Sequence, residues 1–166
     1  MDEIVISRAQ SADLDGIMQL ALANEAQAGG MLTGHLPRAM VAETLERMPV
    51  IVARRGSEVV AFLITWDSFS NNESPVAAAM KQAYQPSAPA YFQGPICVAQ
   101  ALRGQGLAQT MFKKLREYLA EHEAVCFIRA DNTPSLKAHR AMGMEERADF
   151  QALGQDFKVY SFRPPR

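Results

Sequence analysis

The residues of this chain most suggestive of chemistry are Arg103-Gly104-Gln105-Gly106-Leu107-Ala108, a loop that follows an apolar, strand-like run and opens a helical segment. That order sets a row of backbone N–H groups at a helix N-terminus, where unpaired donors and the macrodipole favour a phosphate. Side chains at Gly104, Gly106 or Ala108 would hold a ligand's oxygens away from those amides, and Arg103 adds a charge-assisted contact. Two commoner phosphate loops fail on the same residues. A Walker A loop needs Gly-Lys-Ser/Thr, and a dinucleotide fold needs a third glycine three positions after the second. Here no Lys follows Gly106 and position 109 is Gln. An isolated Gly-x-Gly also reads as a plain turn entering a helix.

The elements that must position this loop are legible on both sides of it. Ile4-Val5-Ile6 predicts a short strand. Ser11 offers an N-cap to a helix with Leu14, Ile17, Met18, Ala21 and Leu22 inward, closed by Gly29-Gly30. After a stretch through Gly34, Pro37 sits in the first turn of a second helix with Met40, Val41, Leu45 and Met48 inward, stopped by Pro49. Val50 to Ala53 and Val59 to Trp66 predict an antiparallel hairpin turning at Arg55-Gly56-Ser57. Asp67 to Pro89 looks like an insertion carrying one short helix over Pro75 to Tyr84, and such insertions often shape substrate pockets.

Tyr91 to Val98 resumes a strand, and the missing N–H of Pro95 implies an edge or a bulge at Gly94-Pro95. Beyond the loop, Ala108, Met111, Phe112, Leu115, Tyr118 and Leu119 share one helical face. Val125 to Arg129 is a strand, Pro134 to Met142 a helix ended by Gly143, and Phe150 to Phe162 two strands turning at Gly154.

Composition narrows the function classes. The 166 residues suffice for one core, so residues 1–166 read as a single domain. Seventeen Lys and Arg against eighteen Asp and Glu leave no strong field, which argues against a nucleic-acid partner or a membrane-seeking basic face. The acidic start, Met1-Asp2-Glu3, and the lack of a long apolar run suit a cytoplasmic protein. Cys97 and Cys126 lie in apolar runs, which suits buried reduced thiols better than a disulfide or metal site, and no metal is expected.

The loop is not isolated. Val98-Ala-Gln-Ala-Leu-Arg103-Gly-Gln-Gly106-Leu-Ala108 resembles motif A of the GNAT superfamily of N-acetyltransferases, Arg/Gln-x-x-Gly-x-Gly/Ala after a strand ending in Val. About thirty residues on, Asn132-Thr-Pro-Ser135-Leu-Lys-Ala-His139-Arg-Ala-Met-Gly143-Met144 resembles that superfamily's motif B, an Asn-led helix ending in Gly and an apolar residue. The resemblance implies an α/β (α+β) GNAT fold: a central mixed, mostly antiparallel sheet of about seven strands flanked by about four helices and splayed between strands 4 and 5. It further implies acetyl-CoA as co-substrate, its pantetheine amides bonded by the backbone of Ile96, Cys97 and Val98. The pyrophosphate would lie on Arg103, Gly104, Gln105, Gly106, Leu107 and Ala108, with Asn132, Ser135 and His139 completing the coenzyme site.

The expected reaction is direct attack of a neutral amine on the thioester, with an N–H near Val98 stabilising the oxyanion and a general acid meeting the thiolate. Many members place a Tyr seven residues after the motif B Asn for this purpose; here that position is His139. Spacings of three, seven and eleven set Asn132, Ser135, His139 and Gly143 on one face, so His139 is either that acid or a residue that packs beneath the cofactor while solvent supplies the proton. An acyl-cysteine at Cys97 lacks any nearby base. Glu25, His35, Glu43, Asp67 and Glu73 are candidate general bases, directly or through a water relay, though each reads more readily as solvated surface charge, and the base is unassigned. The acceptor reads as a small primary amine, with Asn71, Asn72, Glu73 and Tyr84 narrowing its pocket. The alternatives are a protein or peptide N-acetyltransferase and a non-catalytic acyl-CoA-binding module. A monomer or homodimer is expected, pairing through the edge at Phe157 to Phe162.

Overall fold

In the computed structural model, which describes residues 3–25, 36–67, 75–86 and 89–165, the β-branched start of the chain forms strand β1, Ile4–Arg8. A 3₁₀ turn, Ser11–Asp13, leads into helix α1, Leu14–Ala23, and helix α2 covers Arg38–Arg47. Strands β2, Ile51–Arg55, and β3, Glu58–Trp66, form the expected hairpin, with Gly56 at a φ of 63° in its turn. Helix α3 is Pro75–Ala83, strand β4 Ala90–Val98 and helix α4 Leu107–Arg116. Strand β5, Glu123–Arg129, helix α5, Thr133–Ala141, and strands β6, Glu145–Ala152, and β7, Gln155–Phe162, complete the described residues. The strands hydrogen-bond in the order β1-β2-β3-β4-β5-β7-β6. Among the described residues, seven strands therefore form one mixed sheet, and five α-helices stand where about four were expected, α3 being the helix of the insertion.

The fold comprises two compact units, residues 1–65 with 94–118 and residues 66–93 with 119–166. In the first, β1 and β2 run antiparallel with Ile4 opposite Arg55 and Arg8 opposite Ile51. β2 and β3 are buried almost throughout, as near-continuous apolar runs require. Ile17, Val41, Phe62, Ile64, Met111 and Leu115 fill this core. Helix α1 approaches β3 closely at Gly16, where a Cβ would fall 2.6 Å from Val59 Cγ2. Asp13 and Arg54 form a two-bonded ion pair that ties the 3₁₀ turn to β2, and Arg54 also donates to Ser7 Oγ at 2.6 Å.

In the second unit, Ala90–Phe92 of β4 pair in parallel with Glu123–Val125 of β5, a register that ends short of Gly94-Pro95. β5 then pairs antiparallel with β7, and β7 with β6. Phe92, Phe127, Phe150 and Phe157 pack at ring separations of 5.2 to 6.4 Å beside Met80 of α3. The Tyr84 hydroxyl donates to the buried Glu123 carboxylate at 2.5 Å.

Several expectations need correcting. Ser11 is not a cap but the first residue of the 3₁₀ turn before α1; the N-cap is Gln10, whose N–H donates to the Asp13 carboxylate at 2.8 Å. α1 ends at Ala23, ahead of Gly29-Gly30, which lie outside the described residues. Leu22 and Met40 face out, and Thr44 is buried where Leu45 and Met48 are half-buried. α4 stops at Arg116, so Tyr118 and Leu119 lie beyond it, and Tyr118 is exposed beneath the Arg8 guanidinium. Gly94-Pro95, a cis peptide, sits in an inner strand and not at an edge. The outer strand of the final hairpin is β6, starting at Glu145, while β7 with Phe157 to Phe162 is enclosed between β5 and β6.

Candidate active site

The loop before α4 is built by two glycines in the left-handed region. Gly104 and Gly106 both have φ of 80°, and Gly106 is the N-cap of α4. The first helical bond runs from the Thr110 N–H to the Gly106 carbonyl at 3.0 Å, so the Leu107, Ala108 and Gln109 amides precede the helical ladder. A Cβ built on Gly104 would meet no protein atom within 4 Å, and one on Gly106 only Gln109 Oε1 at 3.9 Å. Glycine is therefore required here by backbone conformation and not by crowding, and the missing side chains leave a cradle a Cβ would fill. Such a cradle fits the diphosphate of a coenzyme A thioester.

Arg103 enters this loop from a 3₁₀ turn, Gln100–Leu102. Its Nε donates to the Val98 carbonyl at 3.1 Å and its Nη2 to Asn24 Oδ1 at 2.5 Å. Asn24 escaped the reading of the sequence; an Asn just past the last apolar position of a helix was the available signal. Ile96 and Val98 are half-buried and Cys97 is buried. Burial pushes the Cys97 thiol up to about 12 against a small opposing pull from Arg103, so it stays protonated and unsuited to nucleophilic attack. The Ala99 N–H is taken by the Val60 carbonyl at 2.8 Å. All these residues belong to the first unit.

In the second unit, the motif B helix brings Asn132, Ser135 and His139 together. Asn132 caps α5, its side-chain oxygen accepting from the Ser135 N–H at 3.3 Å, with Pro134 in the first turn. His139 Nδ1 lies 2.7 Å from the Ser135 carbonyl and 3.3 Å from Ser135 Oγ. A carbonyl can only accept, so Nδ1 carries the hydrogen and Nε2 of the neutral ring is an acceptor. Burial pushes the His139 pKa below its ordinary value, with the Ser135 carbonyl pulling the other way more weakly. The ring is therefore neutral near pH 7, and donation from Nε2 would first require a protonation that burial opposes.

Of the candidate bases, Glu43 is exposed and paired with Arg47 at 2.8 Å. Glu25 is half-buried and Asp67 exposed. His35 and Glu73, like Asn71 and Asn72 of the insertion, lie outside the described residues. Among the described residues, no group of three His, Cys, Asp or Glu side chains is placed to hold a metal ion, and no helix is long and apolar enough to cross a membrane.

Comparison with known proteins gives this geometry its context. The model of the acetyltransferase (GNAT) family matches residues 32–144, most of the chain and both motifs up to Met144. No curated protein sequence matches. Solved structures do. An N-acetyltransferase from Staphylococcus aureus Mu50 superposes with a TM-score of 0.71 at 18% identity, covering 97% of this chain and 98% of its own. Ribosomal-protein-alanine N-acetyltransferase from Brucella melitensis gives 0.68 at 22%, covering 96% and 99%. A GNAT phosphinothricin acetyltransferase from Sinorhizobium meliloti, solved with acetyl-CoA, gives 0.69 at 16%, covering 96% and 87%. At these identities the likeness is one of fold. The chain belongs to the acetyltransferase (GNAT) family. Family membership makes it an acetyltransferase.

Proposed function

We propose that this acetyltransferase moves the acetyl group to the primary amine of a small molecule by direct attack, within one acetyltransferase domain spanning residues 1–166. The observation that carries the donor half is the pair of left-handed glycines, Gly104 and Gly106, following Arg103 at the start of α4, which we assign to the diphosphate. Ile96, Cys97 and Val98 offer their backbone to the pantetheine arm, and Asn132, Ser135 and His139 the motif B wall. In the reaction, the amine nitrogen forms a bond to the thioester carbon and a backbone N–H near Val98 receives the developing oxyanion. The C–S bond then breaks, the nitrogen gives up a proton to water as the amide forms, and the thiolate takes one from water.

For His139 the neutral, Nδ1-protonated ring supports a hydrogen-bonding wall, with water protonating the thiolate, over the role of general acid. An alkylammonium acceptor, with an ordinary pKa about three units above neutrality, must first shed a proton. We assign that step to water, relayed to a carboxylate of the acceptor side.

A small acceptor is supported by α3, inserted in the chain between β3 and β4 and followed by Tyr84, whose hydroxyl donates to Glu123. A near-zero net charge agrees with an acceptor that needs no long-range steering. A cytoplasmic location is supported by the two buried, unpaired thiols, Cys97 and Cys126. The test is thiol release from acetyl-CoA over a panel of small amines and of peptides with free N-termini. Turnover of small amines with idle peptides is expected; peptides acetylated far faster would replace the small-molecule reading with a protein acceptor. In the same assay, His139→Phe should keep the pH profile of kcat, and loss of an acidic-form limb would return the acid role to His139.

A further inference from the structure

The Arg103 guanidinium is held before any ligand is considered. Its Nη2 donates to Asn24 Oδ1 at 2.5 Å and its Nε to the Val98 carbonyl at 3.1 Å, across 79 positions of sequence in the first case. Asn24 is only 7% exposed and stands immediately past α1. Its Nδ2 donates to the Leu20 carbonyl at 2.8 Å, one of the four carbonyls that the end of α1 leaves outside the helical ladder. Both bonds demand the same orientation of the amide. The Leu20 carbonyl can only accept, so nitrogen faces it, and a guanidinium can only donate, so oxygen faces Arg103. The Asn24 amide is thus oriented by its own helix and presents a fixed acceptor to an arginine in the loop.

An arginine free to wander loses much rotamer freedom when it grips a ligand, and fixing it beforehand removes that loss from binding. We propose that Asn24 is a positioning residue for the coenzyme loop, holding Arg103 across the end of β4 so that its charge is set for the diphosphate. This rests on the assignment of Arg103 to Ala108 to the diphosphate. A capping role alone would make Asn24 matter to α1 and to nothing in the loop.

A double-mutant cycle on coenzyme A affinity, measured by calorimetry, separates the two. Asn24→Ser supplies a hydroxyl that can still donate to the carbonyl four residues back but is too short to reach Arg103. Asn24→Ala removes both bonds. Both variants should raise the Kd for coenzyme A about fivefold to tenfold beside Arg103, and less than about twofold beside Arg103→Ala. In steady state the loss should fall on the KM for acetyl-CoA with kcat retained, while the unfolding midpoint drops for Asn24→Ala more than for Asn24→Ser. Equal factors in the two Arg103 backgrounds, or an unchanged Kd for Asn24→Ser, would overturn the proposal. If the wild-type chain itself takes up no coenzyme A, the diphosphate assignment fails first; a wild type that binds, with an additive cycle, removes only the role of Asn24.

Discussion

At the scale of single residues, the two glycines of the loop and His139 make opposite demands on their surroundings. Gly106 needs a positive φ and has space around it, so Gly106→Ala tests conformation and cradle together. The forced left-handed alanine should cost about 1 kcal/mol of stability, read as a fall of about 2–4 °C in the unfolding midpoint. If the Gly106 amides carry the diphosphate, the KM for acetyl-CoA should also rise about tenfold with kcat nearly unchanged, since the lost contact is equally present in ground and transition states. An unchanged KM would separate the loop from the coenzyme. His139 is conformationally ordinary and constrained by burial. Its folded pKa lies below the ordinary 6.5, so above that value neither the folded nor the unfolded state carries its proton and its contribution is fully present. As the pH falls below 6.5 the unfolded chain protonates first and stability is lost until the folded pKa is reached. Thermal unfolding followed from pH 7 to pH 5 should therefore show a steeper decline for the wild type than for His139→Phe. Parallel curves would mean that the ring is not held neutral.

Among the elements, the strong signals were those of continuous composition. The apolar runs of β2 and β3, the turn at Gly56 and the amphipathic α4 all follow from patterns that few conformations satisfy. The misses in α1 and α2 share a physical cause, which is that short helices bury a narrow stripe. α1 and α2 each have ten residues, and only Ile17, Met18 and Ala21 on one and Val41 and Thr44 on the other are buried. Leu22 and Met40 are apolar but fall outside those stripes, and apolar type alone does not reveal that. β6 was illegible at its start for another reason: Glu145-Glu146-Arg147 carries no apolar alternation, because the outer strand of the sheet is better served by charge. Its turn into β7 holds a local conflict that can be tested. Leu153 has a φ of 52° and is 73% exposed, so a γ-branched residue occupies a position that favours Asn or Gly without any packing to compensate. Leu153→Asn should raise stability by about 0.5–1 kcal/mol, seen as a higher unfolding midpoint. A lower one would show that Leu153 makes a contact the exposed side chain does not suggest.

For the whole molecule, the division between what the sequence told and what it withheld follows from how each half of the chemistry is encoded. The donor side we propose is carried by backbone: two left-handed glycines, a helix start and a strand end, each leaving a mark at a fixed spacing, as does the Asn132-led helix. Side-chain partners leave no such mark: Asn24, the partner of Arg103, lies 79 residues away with no spacing that announces it. A backbone-encoded donor site makes a whole-molecule prediction about which part of the coenzyme the protein grips. A ligand at 100 times its Kd stabilises the folded state by about 2.7 kcal/mol, which for a chain of this size raises the midpoint by about 5–10 °C. Acetyl-CoA should reach such a shift at millimolar concentration. Acetyl-pantetheine, which keeps the thioester and both amides but has no diphosphate, should give less than half of it at the same concentration, because the loop at α4 then has nothing to hold. Adenosine diphosphate, with a diphosphate and no pantetheine, should give a small shift that rises as ionic strength falls. If acetyl-pantetheine stabilised the protein as well as acetyl-CoA does, binding would reside in the strand backbone of Ile96 to Val98 and the glycine loop would be a turn and nothing more.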